Sequence, residues 1–295
     1  MHFDVKDNTL SNMKDSKVFT VDTVITGGGL PVPADVRSAS RDSARPVIVV
    51  CPGFLGYRRW GFFPWLSERI ALAGFHVATI SFSHSGTDDG TGMIVRPDEF
   101  ASNKVSTELS DLDRVLRWTD TEGFPFPASP VRGLLGHSRG GSVSVLTAGN
   151  FPRVRSIVTW STPSRLDRYT GRRKEAWKKT GALEFSDSRS PVPLRLDYSY
   201  YEDIDVNRER YDVPKAASAL EIPHLVVHGE RDAAVSVSEA EAFFEIPGAG
   251  EKKLEIVKGC GHTFGVTHPM PRPTPALEKA SALTVEWFTS TLGGV

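Results

Sequence analysis

The sequence contains only two cysteines, Cys51 and Cys260, among 295 residues. So few cysteines exclude the dense disulfide framework of small secreted domains, although a single Cys51–Cys260 bridge stays open. No apolar run reaches the ~20 residues that a membrane-spanning helix needs. Residues 1–17 form a polar N-terminal tail without the apolar core of a signal peptide. We therefore expect a soluble, cytoplasmic protein that does not bind a membrane.

An excess of charge of either sign is also absent, because 35 basic residues face 36 acidic ones. Without a strongly positive surface, we expect no nucleic-acid partner. The histidines and carboxylates lack the spacing of metal ligands, so the sequence predicts neither a metal nor another cofactor. We find no internal repeat. The sequence leaves open whether two copies of the chain form a homodimer.

Strand-like and helix-like segments alternate along most of the chain. The runs "PVIVVC", "FHVATISF", "VRGLLGH", "VRSIVTW", "PHLVVHG" and "KKLEIV" are apolar, and amphipathic segments separate most of them. One of these segments, residues 97–120, is predicted as a single helix. Such alternation predicts an α/β fold with a mostly parallel sheet covered by helices on both faces. Two earlier strands, "SKVFTVDTVI" and "LPVPADVRSAS", form a predicted hairpin around a glycine turn. The predicted core comprises residues 18–160 and 222–295.

Residues 161–221 interrupt this rhythm, since no strand–helix unit is recognisable there. A stretch this long inside a compact domain is usually a functional insertion, and we predict a lid over one end of the sheet. Part of it, "SRLDRYTGRRKEAWKK", has seven basic residues against two acidic ones. Tyr169 and Trp177 lie within it, and we predict either a pocket roof that stacks substrate and attracts anions, or a solvated helix whose aromatic residues only pack.

Ser138 lies in "GHSRG", between a predicted strand and a predicted helix. A serine hydroxyl is a weak nucleophile that needs an adjacent base and an exposed position. A sharp strand-to-helix turn provides the exposure, and the flanking glycines remove side chains that would clash. The pattern therefore predicts Ser138 as a catalytic nucleophile.

Candidates for the base and its orienting acid follow later in the chain. Asp232 comes three residues after the strand "PHLVVHG", and His262 follows "KKLEIV" in "GCGHTFG". Open α/β sheets build their sites at the carboxyl ends of the strands, where both residues are expected. The order Ser138, Asp232, His262 fits a catalytic triad. Glu230 is the alternative acid and His268 the alternative base.

An oxyanion formed during acyl transfer needs two N–H donors. We predict the backbone N–H of Arg139, which follows the nucleophile, and that of Phe54 in the loop "PGFLG". Five further side chains are candidate substrate contacts: His137, Trp160, Tyr169, Trp177 and Phe264.

Four motifs, "PGFLG", "GHSRGG", "HGERD" and "GCGHTFG", occur in an order that resembles the α/β-hydrolase superfamily. Within it, the chain is similar to dienelactone-hydrolase-like and cinnamoyl or feruloyl esterase-like hydrolases, from about Pro46 onward. The resemblance implies an eight-stranded, mostly parallel sheet, a Ser138–Asp232–His262 triad and a lid after the sixth strand. Two departures stand out: Cys51-Pro52-Gly53 stands where the family usually has His-Gly before the oxyanion residue, and Ser138 occupies the position of the dienelactone-hydrolase cysteine.

These observations predict a serine hydrolase that cleaves a small-molecule carboxylic ester through an acyl-enzyme on Ser138. Two alternatives stay open. One is a serine peptidase or aminoacyl hydrolase of the prolyl-oligopeptidase type, although no propeller-like repeats precede the domain. The other is a binding protein that retains the fold without catalysis.

Overall fold

The computed structural model describes residues 18–245 and 250–293. The predicted polar tail, residues 1–17, lies outside these ranges. Within them, no helix combines the length and the apolar character needed to cross a membrane.

The strands are regular and close to their predicted positions. In chain order they are β1 (Phe19–Ile25), β2 (Val32–Ser38), β3 (Arg45–Cys51), β4 (His76–Ile80), β5 (Ala128–His137), β6 (Val154–Trp160), β7 (Ala182–Phe185), β8 (Leu194–Asp197), β9 (His224–Gly229) and β10 (Lys252–Val257). Eight of them form one sheet in the order β1-β2-β4-β3-β5-β6-β9-β10, and β7 and β8 pair separately. The first two strands are antiparallel to their neighbours, and the other six strands of this sheet run parallel. The predicted eight-stranded α/β fold is therefore confirmed.

Helices cover both faces of this sheet. They are α1 (Phe63–Leu72), α2 (Pro97–Ala101), α3 (Val105–Trp118), α4 (Arg139–Ala148), α5 (Gly171–Thr180), α6 (Ser199–Val206), α7 (Val213–Ser218), α8 (Val237–Glu245) and α9 (Pro275–Leu292). One apolar cluster joins the sheet to α1 and α9, and the other joins it to α3, α4, α7 and α8. Strands β3, β4 and β9, each flanked by two neighbours, are buried almost throughout, which explains their largely apolar sequences.

Three sequence expectations need correction or detail. The segment from Pro97 to Asp120, expected as one helix, is broken between α2 and α3. Residues 161–221 do contain regular structure, namely α5, the β7–β8 hairpin, α6 and α7. Cys51 and Cys260 are both free thiols, so the single disulfide that had stayed open is absent. Burial raises the pKa of the Cys51 thiol to about 12.

The turn from β5 into α4 depends on the absence of side chains at three glycines. A Cβ on Gly136 would lie 2.5 Å from the Gly140 carbonyl oxygen. A Cβ on Gly140 would overlap the carbonyl oxygens of Cys51 and Pro52, and one on Gly141 would overlap the Thr162 side chain. The glycines therefore let α4 begin directly against β3 and the end of β6.

We expect Gly141→Ala to lower the free energy of unfolding by about 1–3 kcal/mol, because the new methyl group overpacks against Thr162. Denaturant unfolding measures this change. Gly149→Ala, at the other end of α4, is the matched control, since its Cβ would meet only Leu220 at 3.9 Å. Adding Thr162→Ala to Gly141→Ala should partly restore the stability. Equal stability of Gly141→Ala and Gly149→Ala would contradict the steric argument.

Candidate functional site

Ser138 occupies the sharp turn between β5 and α4. Its φ is 53° and its ψ is −130°, a conformation that residues with a side chain rarely adopt. Two backbone hydrogen bonds fix it: the Ser138 N–H donates to the Trp160 carbonyl (2.8 Å), and the Ser138 carbonyl accepts from the Gly141 N–H (2.9 Å). Gly53 approaches so closely that a Cβ there would lie 2.7 Å from the Ser138 Cβ. The side chain therefore stands at the end of the sheet, held by three different segments.

Asp232 and His262 meet on the loops that follow β9 and β10. His262 Nδ1 donates to Asp232 Oδ2 at 2.8 Å, so the other ring nitrogen, Nε2, is the one free to exchange a proton. His262 and Ser138 line the same cavities. Among the described residues, no hydrogen bond joins the His262 and Ser138 side chains. Hydrogen bonds between a base and a nucleophile are often long in enzymes without bound substrate.

The Asp232 carboxylate is buried and surrounded by donors. Its Oδ1 accepts from the backbone N–H groups of Ala234 and Val235, both at 2.9 Å. His228 Nε2 donates to the Val235 carbonyl at 2.9 Å and lies 3.4 Å from Asp232 Oδ2. Burial opposes ionisation, but the hydrogen bonds from His262 and the two amides outweigh it and lower the Asp232 pKa. The group is thus an anion beside His262.

His137 contacts the backbone and the ring of His262. Its Nε2–H donates to the His262 carbonyl at 3.0 Å, and the two ring centres are 4.9 Å apart. Burial, with a smaller contribution from the positive charge of His262, lowers the His137 pKa to about 3. His137 is therefore neutral at physiological pH and supports the backbone of His262. It also lines one of the two cavities, as a substrate contact would.

The structure does not bring the alternative acid and base to the same place. Glu230 is exposed and accepts from the Gly259 N–H at 2.9 Å. His268 Nδ1 accepts from the Gly61 N–H at 2.9 Å, and its Nε2 contacts the Tyr57 hydroxyl at 2.9 Å. Both nitrogens of His268 are thus occupied by structural partners, which leaves Asp232 and His262 as the pair that adjoins Ser138.

Two amide groups near Ser138 are free to bind an oxyanion. Phe54 follows β3, and Arg139 is the first residue of α4. In the described part of the chain, neither N–H donates to a protein acceptor. Arg139 also begins a helix, where the backbone dipole favours negative charge. Both predicted donors are therefore available at the mouth of the cavities that Phe54 and Ser138 share.

The side chain of Arg139, the residue after Ser138, is buried. Its guanidinium pairs with Glu108, donates to Asn103 Oδ1 at 2.9 Å and lies 4.5 Å from the centre of the Phe54 ring. Burial raises the Glu108 pKa, against the attraction of Arg139. Glu108 and Asn103 were not among the predicted site residues, since nothing in a helical pattern marks a carboxylate that turns inward.

Ser138 lines two cavities. The first, of about 190 Å³, is lined mainly by residues 163–169, Tyr200 and Val235. The second, of about 180 Å³, lies between the Gly53–Gly56 loop, Trp60 and Arg189. Arg189 donates to the Leu55 carbonyl at 2.8 Å and so ties residues 161–221 to that loop. A larger cavity of about 630 Å³ follows α3, and none of the three candidate triad residues lines it.

Of the five predicted substrate contacts, His137 and Tyr169 line these cavities. Trp160, Trp177 and Phe264 do not, because they are 0%, 1% and 0% exposed. Each fills the interior: the Trp160 Nε1–H donates to Thr284 and its ring packs on Phe264, while the Trp177 Nε1–H donates to the Leu196 carbonyl. The prediction that these three residues contact substrate is therefore wrong, and their side chains pack the interior instead.

Tyr169 and Trp177 do contact each other, with ring centres 4.9 Å apart. Tyr169 precedes α5 rather than lying in it.

The described residues contain no group of three or more side chains arranged to hold a metal ion.

The sequence matches the model of the alpha/beta hydrolase family over residues 48–276. Among curated proteins, none matches the chain. Solved structures with the same fold include Est1E from Butyrivibrio proteoclasticus, at 16% identity and a TM-score of 0.67, covering 92% of this chain and 98% of that one. An esterase from Pyrobaculum calidifontis is similar at 16% identity and a TM-score of 0.64 (93% and 85% covered). A dienelactone hydrolase from Anabaena variabilis is similar at 16% identity and a TM-score of 0.60 (93% and 99% covered).

The buried histidines predict a pH-dependent stability. Burial lowers the pKa of His137 and of His224 to about 3, so between pH 3 and 6.5 the unfolded chain binds more protons than the folded one. The free energy of unfolding should then decrease as the pH falls below about 6.5, by up to ~1.4 kcal/mol per pH unit for each histidine.

Urea unfolding of the wild type at pH 7.5 and pH 5 measures this slope. We expect His137→Gln and His224→Gln each to flatten it, because glutamine does not titrate. Other titrating groups contribute to all three proteins alike, so they cancel in the comparison. Slopes identical to that of the wild type would contradict the assignment of neutral, buried imidazoles.

Proposed function

Because the chain belongs to the alpha/beta hydrolase family, we propose that it hydrolyses carboxylic esters through an acyl-enzyme on Ser138. One observation carries this proposal: the Asp232–His262 pair, joined at 2.8 Å, adjoins the cavities that contain Ser138. The proposed base, His262, and the proposed nucleophile, Ser138, thus line the same cavities. The N–H groups of Phe54 and Arg139, which have no acceptor among the described residues, are close by. Among the structural neighbours, the Pyrobaculum protein is named as an esterase, which agrees with this chemistry.

In the proposed reaction, Ser138 Oγ attacks the ester carbonyl carbon while His262 Nε2 takes the hydroxyl proton. The carbonyl π electrons move to its oxygen, which the N–H groups of Phe54 and Arg139 bind. As the tetrahedral intermediate collapses, the C–O bond breaks and His262 protonates the leaving alcohol. Water then attacks the acyl-enzyme by the same route, releasing the acid and restoring Ser138.

Asp232 would stabilise the cationic form of His262 during each transfer and keep the imidazole in the required tautomer. Its low pKa suits this role, since the carboxylate must be ionised whenever His262 takes a proton. The support that His137 gives to the His262 backbone keeps the ring in place. The neutral state of His137 also avoids repulsion when His262 becomes charged.

A serine peptidase or aminoacyl hydrolase would use the same groups, so the triad alone does not discriminate it. Two cavities of about 190 Å³ and 180 Å³ suit compact groups on the two sides of a scissile bond better than an extended peptide. A non-catalytic binding protein has no need of an acid and a histidine in this orientation.

Labelling with a fluorophosphonate probe tests the nucleophile. We expect one label per chain at Ser138 in the wild type, and none in Ser138→Ala. The same variant should reduce ester turnover by about 10⁶-fold if the three residues act as one unit. A wild type that binds esters but neither reacts with the probe nor turns them over would favour the binding protein.

Two isosteric variants test the acid. Asp232→Asn should reduce kcat by about 10⁴-fold, because the amide disfavours the required His262 tautomer. Glu230→Gln, the matched control two residues away, should keep near-normal turnover because its carboxylate faces Gly259. The reverse result would make Glu230 the acid and refute the assignment. Steady-state assays with a 4-nitrophenyl ester measure both.

A further inference from the structure

The cavity of about 190 Å³ beside Ser138 contains three arginine side chains, Arg139, Arg165 and Arg168. We call it the arginine cavity. Its remaining walls are mostly apolar or aromatic, and no acidic side chain lines it. Which of these three positive charges is balanced within the protein therefore decides the charge that a ligand in this cavity meets.

Two of the three charges are already neutralised within the protein. Arg139 forms a buried ion pair with Glu108. Arg168 binds Glu239 at 2.8 Å and also donates to the Ala234 carbonyl at 2.8 Å. Together, these two arginines and their two glutamate partners add no net charge to the cavity.

Arg165 is the charge that remains. Its side chain is exposed, and within the described ranges no hydrogen bond, ion pair or ring contact holds it. It follows Ser164, whose N–H donates to Glu239 at 2.9 Å, so its backbone is anchored while its guanidinium is free. Arg165 thus presents an unpaired, bidentate donor at the edge of the site.

The other walls suit a compact apolar group. Leu166 and Val235 are buried aliphatic side chains, and the Tyr169 and Tyr200 rings lie 6.4 Å apart. Trp177 packs behind both tyrosines and fixes their orientation. A ligand that fits must have an apolar body near Ser138 and a negative charge at the Arg165 end.

We infer that Arg165 binds a carboxylate on the substrate, so that the preferred substrates are esters carrying a free carboxylate near the scissile bond. This inference rests on the proposed ester hydrolysis at Ser138 and specifies its substrate class. A guanidinium–carboxylate pair forms two parallel hydrogen bonds. Hydrogen bonds to charged groups contribute enough to change kcat/KM by roughly 10–100-fold.

Matched pairs of esters that differ only in the charge test the inference. For the acyl side, we would compare the 4-nitrophenyl monoester of glutaric acid with its methyl ester. For the alcohol side, the pair is 3-carboxyphenyl and 3-carbamoylphenyl butyrate. The variants are Arg165→Gln and, as the matched control, Arg172→Gln, which removes an exposed arginine of α5 that does not line the cavity.

We expect Arg165→Gln to lower kcat/KM for the carboxylate ester of at least one pair by about 10–100-fold, mainly through KM. Its neutral partner should change less than about threefold. Arg172→Gln should affect neither ester, and Arg165→Lys should retain part of the preference. Salt should weaken only the reaction of the carboxylate ester, because the Debye length falls from about 30 Å at 0.01 M to about 3 Å at 1 M.

Equal effects of Arg165→Gln on both members of each pair, or no effect on any ester, would overturn the inference. In either case, continued hydrolysis of the neutral esters and probe labelling of Ser138 would leave the proposed function intact. Absence of both hydrolysis and labelling in the wild type would overturn the proposed function and the inference together.

Discussion

The left-handed backbone of Ser138, with φ at 53°, is a conformation that costs about 1–3 kcal/mol for a residue with a side chain. It persists because neighbouring segments leave the backbone no alternative. The Trp160 carbonyl at the end of β6 holds the Ser138 N–H, and Gly53 packs against its Cβ. The same contacts bring Gly53, and with it the neighbouring Phe54, close to the serine, and Arg139 follows Ser138 directly in the chain.

Electrostatics around the site follow from burial. His137 and His228 have lowered pKa values because the interior disfavours their charged forms. Asp232 remains ionised because several N–H groups surround it. In the proposed reaction, the charge created on His262 would meet one nearby anion and two neutral imidazoles, an arrangement that favours proton transfer to that ring.

Much of this could be read from the sequence. Strand runs and their alternation with helices predicted the eight-stranded sheet, since buried parallel strands have distinctive apolar sequences. The order of Ser138, Asp232 and His262 predicted three residues that the structure brings to the same end of the sheet, because each directly follows a strand.

Other features depend on long-range contacts that no local pattern encodes. Trp160 ends strand β6 and Trp177 lies in the segment predicted to cover the site, yet both side chains are buried in the interior, because the sequence does not determine which way a side chain points. The break between α2 and α3 places Asn103 where it contacts both Arg139 and Glu108. Arg139 is 36 positions from Asn103 and 31 positions from Glu108 in the chain. Only the packing of the helices on the sheet brings these residues together.

The hydrogen bond from Arg189 to the Leu55 carbonyl (2.8 Å) has a consequence for motion. Leu55 directly follows Phe54, whose N–H is a proposed oxyanion donor, and Arg189 belongs to the segment that borders both cavities. Any displacement of that segment which removes Arg189 also releases the loop carrying Phe54. Access to the cavities and the position of the amide donor are therefore thermodynamically linked: a ligand that holds Arg189 against the Leu55 carbonyl also stabilises the loop, and one that displaces Arg189 loosens it.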